Sequence, residues 1–172
     1  MSRIGHLTRR LLGSLRPGGP SEPDRAWVES VLSEEEYGLW SRMYGPDRRH
    51  SAAVAREVER RLGHEASSPV LAAALLHDVG KIDADLRTWG RVVATLSAAV
   101  AGPDTARLWI RGSGFTRRVG LYLHHPEIGA DMLELAGSDP LTVAWAEEHH
   151  KPREEWTVPP HIAEVLHEVD DD

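Results

Sequence analysis

Cysteine is missing from all 172 residues. This rules out thiolate nucleophiles and cysteine-bound zinc knots, and it suits a reducing cytoplasm, where the chain is expected to reside. Long apolar runs are missing as well. The longest near the middle, Val92 to Gly102, is interrupted by Thr95 and Ser97 and falls far short of the roughly 20 residues that span a bilayer. No transmembrane segment is expected. Basic charge is in deficit: 20 Lys and Arg stand against 27 Asp and Glu, a net charge of −7 with the histidines neutral. Without a long basic stripe the chain does not suit a nucleic-acid backbone, so duplex nucleic acid is not expected as a partner. Strand signals are also absent: no period-2 alternation bounded by turn residues occurs, and no internal repeat.

What remains is helical periodicity. The fold class expected is all-α: a single compact helical domain over residues 21–172, large enough to bury a real core without disulfides, preceded by a basic amphipathic helix and linker over residues 1–20. In that first segment Ile4, Leu7, Leu11, Leu12 and Leu15 recur at helical spacing, Arg3, Arg9, Arg10 and Arg16 supply charge, and no acidic residue occurs. Docking on the domain or on a second copy to form a homodimer is one use for it; weak contact with an anionic membrane surface is another. Arg16-Pro17-Gly18-Gly19-Pro20 then breaks the helix.

Further along, Ser33-Glu34-Glu35-Glu36 reads as a capping box, and Asp47 as the cap of a helix that stops at Gly63. Pro126 opens a helix through Leu135, Asp139-Pro140 starts another, and Pro159-Pro160 starts the last. The centre of the pattern is Ser67-Ser68-Pro69-Val70-Leu71-Ala72-Ala73-Ala74-Leu75-Leu76-His77-Asp78-Val79-Gly80-Lys81. Ser68 can cap, Pro69 suits the first helical position, the Ala/Leu run propagates a buried helix, and Gly80 can end it in a left-handed turn. His77 and Asp78 therefore fall in the last turn of a core helix. An unpaired carboxylate there costs several kcal/mol; a divalent metal is one partner, and a plain helix end with Asp78 turned to water is the other reading.

Further ligand types accompany this pair. His50, His77, Asp78, His125, His149, His150 and Asp170 each stand at or near a helix end. Imidazole and carboxylate without thiolate suit iron, manganese or another first-row ion. The ordered series, His50, then His77-Asp78-Val79-Gly80-Lys81, then His125, His149 and Asp170, resembles the HD superfamily of metal-dependent phosphohydrolases over roughly Asp47 to Asp172. His125-Pro126-Glu127-Ile128-Gly129 and His149-His150 resemble the third-histidine segment and the histidine pair of HD-type cyclic-dinucleotide phosphodiesterases. Pro46 and the segment after His150 do not follow that branch, and smaller nucleotide phosphohydrolases and short bacterial HD proteins are more similar.

The resemblance implies that His50, His77, Asp78 and Asp170 hold one divalent ion. It further implies that Asp78 bridges to a second ion held by His125 and His149, with His150 as a further ligand. Lys81 would then be a point charge for a phosphate oxygen, and His124 a proton donor to the leaving oxygen. The activity implied is hydrolysis of a phosphoester in a nucleotide or other small phosphorylated molecule. An HD-type mixed-valence di-iron oxygenase and a non-catalytic nucleotide-binding HD domain are the alternatives.

Overall fold

The computed structural model describes residues 18–171 apart from 87, 103, 104, 106 and 107. The expected N-terminal amphipathic helix lies outside the described residues. Among them all regular structure is helical. The helices are α1 (Glu22–Val31), α2 (Glu34–Arg42), α3 (Gly45–Leu62), α4 (Ser68–Leu76), α5 (Lys81–Ala84), α6 (Thr88–Ala101), α7 (Gly114–Leu123), α8 (His125–Leu135), α9 (Pro140–Glu148) and α10 (Pro160–Asp171).

Helix α4 is the axis of the fold. Every residue from Val70 to Leu76 is buried, so the helix is apolar all round and needs neighbours on every side. It packs against α3 and α9, with α1 and α2 also in contact, while α10 covers α3 and α8 covers α9. Trp40, Trp145, Leu75, Leu76, Leu133 and Leu166 are fully buried in the resulting core. The Trp40 indole carries its one polar atom inward and satisfies it by donating to Ser51 Oγ at 3.0 Å. A second, smaller apolar cluster of Ala84, Leu86, Ala94, Val119 and Leu121 joins α5, α6 and α7 beside it.

Local chemistry sets the helix ends. Ser33 and Glu36 form the reciprocal box, the Ser33 hydroxyl accepting from the Glu36 amide and the Glu36 carboxylate from the Ser33 amide. Gly63, at φ 57°, terminates α3 in a conformation that costs other residues a Cβ clash.

Three expectations are corrected. Asp47 does not cap α3, which begins at Gly45 after Tyr44 with no side-chain cap; its carboxylate is taken by Arg91 instead. Ser68 does not cap α4: Ser67 stands at its N-cap, without a side-chain cap bond. Gly80 is right-handed, at φ −62°, and its missing side chain serves a different need. A Cβ there would lie 2.1 Å from the His125 carbonyl oxygen and 2.6 Å from the Gly129 amide. The turn after α4 is thus pressed backbone to backbone against the first turn of α8, which brings Asp78 and His125 together.

Gly80→Ala should therefore force α8 off the turn, since neither neighbour is a side chain that can swing aside. A loss of about 3 kcal/mol, or roughly 6–12 °C in Tm, is expected. Gly38→Ala, on a helix face with nothing within 4 Å, should be neutral or stabilise by up to about 1 kcal/mol. Thermal unfolding of both variants checks the contrast, and equal Tm values would contradict it.

Candidate metal centre

Seven side chains converge where α4 ends. His50 comes from α3, His77 caps α4, Asp78 lies in the following turn, His125 opens α8, His149 caps α9 and is followed by His150, and Asp170 sits in the last turn of α10. They form two adjoining groups, His50–His77–Asp170 and Asp78–His125–His149–His150, and within each the donor atoms lie no more than 4.8 Å apart.

Asp78 stands between them. Its Oδ1 is 3.2 Å from His125 Nε2 and 3.7 Å from His149 Nε2, and its Oδ2 is 3.6 Å from His77 Nε2. His50 Nε2 bonds Asp170 Oδ1 at 2.8 Å, and His77 Nε2 is 3.5 Å from the same oxygen. Asp170 rather than Asp171 turns inward because Ile162, Leu166 and Val169 bury that face of α10; Asp171 stays exposed beside His167.

The three most deeply buried histidines share one device. The Nδ1 of His77 bonds the Ala74 carbonyl at 3.0 Å, that of His125 the Tyr122 carbonyl at 2.8 Å, and that of His149 the Ala146 carbonyl at 2.8 Å. Each carbonyl belongs to the last turn of a helix (α4, α7 and α9 respectively), where backbone oxygens have no intrahelical donor. A carbonyl only accepts, so Nδ1 must carry the proton, and in the neutral imidazole Nε2 is left with its lone pair. All three Nε2 atoms are buried without a hydrogen-bond partner. One such atom costs about 1–3 kcal/mol. Three around one carboxylate, each offering an Nε2 lone pair once the ring is neutral, fit a divalent cation.

Electrostatics separate the groups. Burial disfavours a charged His77, but the Asp78 and Asp170 carboxylates outweigh it and raise its pKa to about 9. Burial and then the Lys81 ammonium push His125 down to about 4. Burial, His149 and His125 push His150 down to about 3. Asp78 is held well below the ordinary carboxyl range, because Lys81 and then His77 overcome the opposing effect of burial. The site thus draws positive charge to His77 and keeps free lone pairs on His125 and His150.

Lys81, singled out in the sequence, has its Nζ bonded to Asp78 Oδ2 at 2.5 Å and faces the Tyr122 ring. Arg91 and Tyr122 beside it are groups that sequence reading passed over. Arg91 grips Asp47 with two bonds of 2.6 Å, donates to the Leu86 carbonyl and lies between the Tyr44 and Tyr122 rings. Asp47 and Arg91 are 44 positions apart, so no local signal pairs them. Tyr122 was findable, three residues before His125. His124 does not join the group; its Nδ1 is 3.9 Å from Glu127 Oε2 at the α7–α8 junction. The His149–His150 segment is pinned from behind: Trp156 Nε1 donates to the Glu148 carbonyl, and Thr157 donates its amide and hydroxyl to the Glu148 carboxylate at 2.7 Å each.

Comparison with protein families finds the HD domain over residues 49–171. The match begins one residue before His50, ends one residue after Asp170 and takes in most of the chain, which therefore belongs to the HD-domain family. Members of this family are generally metal-dependent phosphohydrolases. Neither the comparison with curated proteins nor that with solved structures returned a match.

Because His77 holds a proton below about pH 9, an ion bound there must displace it. Affinity for Mn2+ should rise with pH by up to about tenfold per unit and flatten above that value. His125 and His150 should contribute no proton release at neutral pH. Calorimetric titration in two buffers of different ionisation heat counts the protons, and an affinity flat between about pH 6 and 9 would contradict the assignment.

Proposed function

We propose that the chain is a metal-dependent phosphohydrolase acting on the phosphoester of a nucleotide or another small phosphorylated molecule. The observation that carries this reading is the ring of three unpartnered Nε2 atoms around a carboxylate whose two oxygens face different donor groups. His50, His77 and Asp170 would hold one divalent ion together with Asp78, and His125, His149 and His150 a second, with Asp78 shared. A bound divalent ion of the first row supplies Lewis acidity and makes water a nucleophile near neutral pH.

The chain's own residues supply the rest. Asp78, buried and held ionised, offers one oxygen to each donor group. The Nδ1 bonds to helix-end carbonyls fix the imidazoles in place and in tautomer before any substrate arrives, so no reorganisation is needed at the moment of reaction. Lys81 brings a point charge that suits a phosphate oxygen. Arg91, paired with Asp47 and close to the Tyr122 ring, interacts electrostatically with Asp78 without being one of the converging side chains.

Purified protein analysed for metal and offered nucleoside monophosphates, nucleoside diphosphates, dinucleotides and cyclic dinucleotides, with and without oxygen, tests the reading. Phosphate release that continues without oxygen is expected; product that forms only with oxygen would move the chain to oxidative chemistry. Asp78→Asn keeps the shape and removes the shared charge. It should empty the second donor group first and lower turnover by at least about 100-fold while helicity persists. Lys81→Ala should keep the metal and raise KM or lower kcat. Full turnover in folded Asp78→Asn protein would refute the proposal.

A further inference from the structure

The two histidines at the end of α9 are held in different ways. His149 has its own anchor, the Nδ1 bond to the Ala146 carbonyl at 2.8 Å, and its buried ring lies beside Trp145. Among the described residues His150 makes no ring hydrogen bond; its ring meets those of His149 and His125 at centroid distances of 4.0 and 5.2 Å. His150 is also exposed, whereas His149 is buried. A side chain open to water on one side is not locked by packing, so the direction of its ring follows from the backbone that carries it.

That backbone is clamped through one atom. Trp156 Nε1 donates to the Glu148 carbonyl and to the Lys151 carbonyl, at 3.1 Å each. One acceptor stands immediately before His149 and the other immediately after His150, so a single N–H closes over the pair. The Lys151 amide, donating to the Glu148 carbonyl at 2.7 Å, completes the turn. Helix α9 has ended at Glu148, where carbonyls lack intrahelical donors, and these bonds hold the chain where the helix no longer does. The indole is itself braced: its ring stands edge-on to Trp145 at 5.5 Å and tilts on His167 of α10 at 5.2 Å. The next residue, Thr157, is tied by amide and hydroxyl to the Glu148 carboxylate.

We propose that Trp156 is the positioning residue for His150. Its forked N–H fixes the turn that aims this ring at the group of Asp78, His125 and His149, and so sets how tightly that group holds its ion. This rests on the reading of His150 as a donor to that ion, and it leaves the His50–His77–Asp170 group unaffected.

Trp156→Phe keeps an aromatic ring against Trp145 and His167 and removes the N–H. Calorimetric titration of the full chain with Zn2+ should show two ions, one of which His150→Ala weakens. Trp156→Phe should weaken the same ion by about tenfold and leave the other within about twofold, with helicity unchanged. In the Trp156→Phe/His150→Ala double variant the loss should equal that of His150→Ala alone within about twofold, because the ring that Trp156 aims is gone. A purely structural role would instead weaken both ions or add to the His150→Ala loss. A second measurement needs no variant: in the 15N-labelled unmodified chain, the Trp156 indole N–H resonance, one of six, should shift as Zn2+ binds. Unchanged affinity in folded Trp156→Phe protein, losses that multiply in the double variant, or six indole resonances indifferent to bound Zn2+ would each overturn the proposal. Two bound ions that His150→Ala leaves untouched would remove His150 from the centre and overturn the proposal alone. A chain that takes up no Zn2+ would overturn the metal-dependent reading and this proposal together.

Discussion

The bond from an imidazole Nδ1 to the carbonyl three residues before it is the constraint on which this centre depends. It occurs at His77, His125 and His149, and at each it performs two tasks at once. It gives a side-chain donor to a carbonyl in the last turn of a helix, and it settles which ring nitrogen faces the centre. The ends of α4, α7 and α9 and the last turn of α10 each supply a side chain or a carbonyl to the centre, while α8 begins there at His125. Two carboxylates, Asp78 and Asp170, add negative charge at the same place. Ligand preparation is a property of how the helices stop.

A second requirement is that helices stop close enough together. Gly80 against the His125 carbonyl and the Gly129 amide achieves this between α4 and α8. Between the main core and the α5–α7 cluster, the bridge is ionic: Asp47 on α3 holds Arg91 on α6. Tyr122 stands at the junction of the two systems. Its carbonyl receives His125, its ring stacks on the His125 ring, and the same ring faces both Lys81 and Arg91. A substitution at Tyr122 would reach a ligand and two cations together.

Features written in adjacent residues were legible in the sequence. The box at Ser33 and Glu36, Pro126 at the head of α8, the stop at Gly63 and the all-round apolarity of α4 each follow from residues within one helical turn, and the structure places them where the pattern does. The ordered His and Asp residues could be singled out because Gly and Pro punctuate the helix ends where they stand. What depended on distant partners was misread. Asp47 has the composition of a cap and the partner of a bridge. Gly80 has the composition of a left-handed stop and serves a backbone contact with a helix more than 40 residues later. The Nδ1 device, by contrast, is local, and each of the three histidines could have been paired with its carbonyl once the helix ends were drawn.

Glu148 shows what the fold withholds from the centre. It precedes His149 directly, is only 6% exposed, and has both carboxylate oxygens occupied by Thr157. A carboxylate one residue from His149 is thereby held away from the converging side chains. The seven converging side chains bring two carboxylates, Asp78 and Asp170, and five imidazoles, of which His77 holds a proton below about pH 9. Admitting Glu148 would cancel one more unit of any cation's charge and weaken its pull on an anionic substrate. With an ion bound, the Thr157 contacts would act as an electrostatic set-point, fixing how electropositive the centre could be.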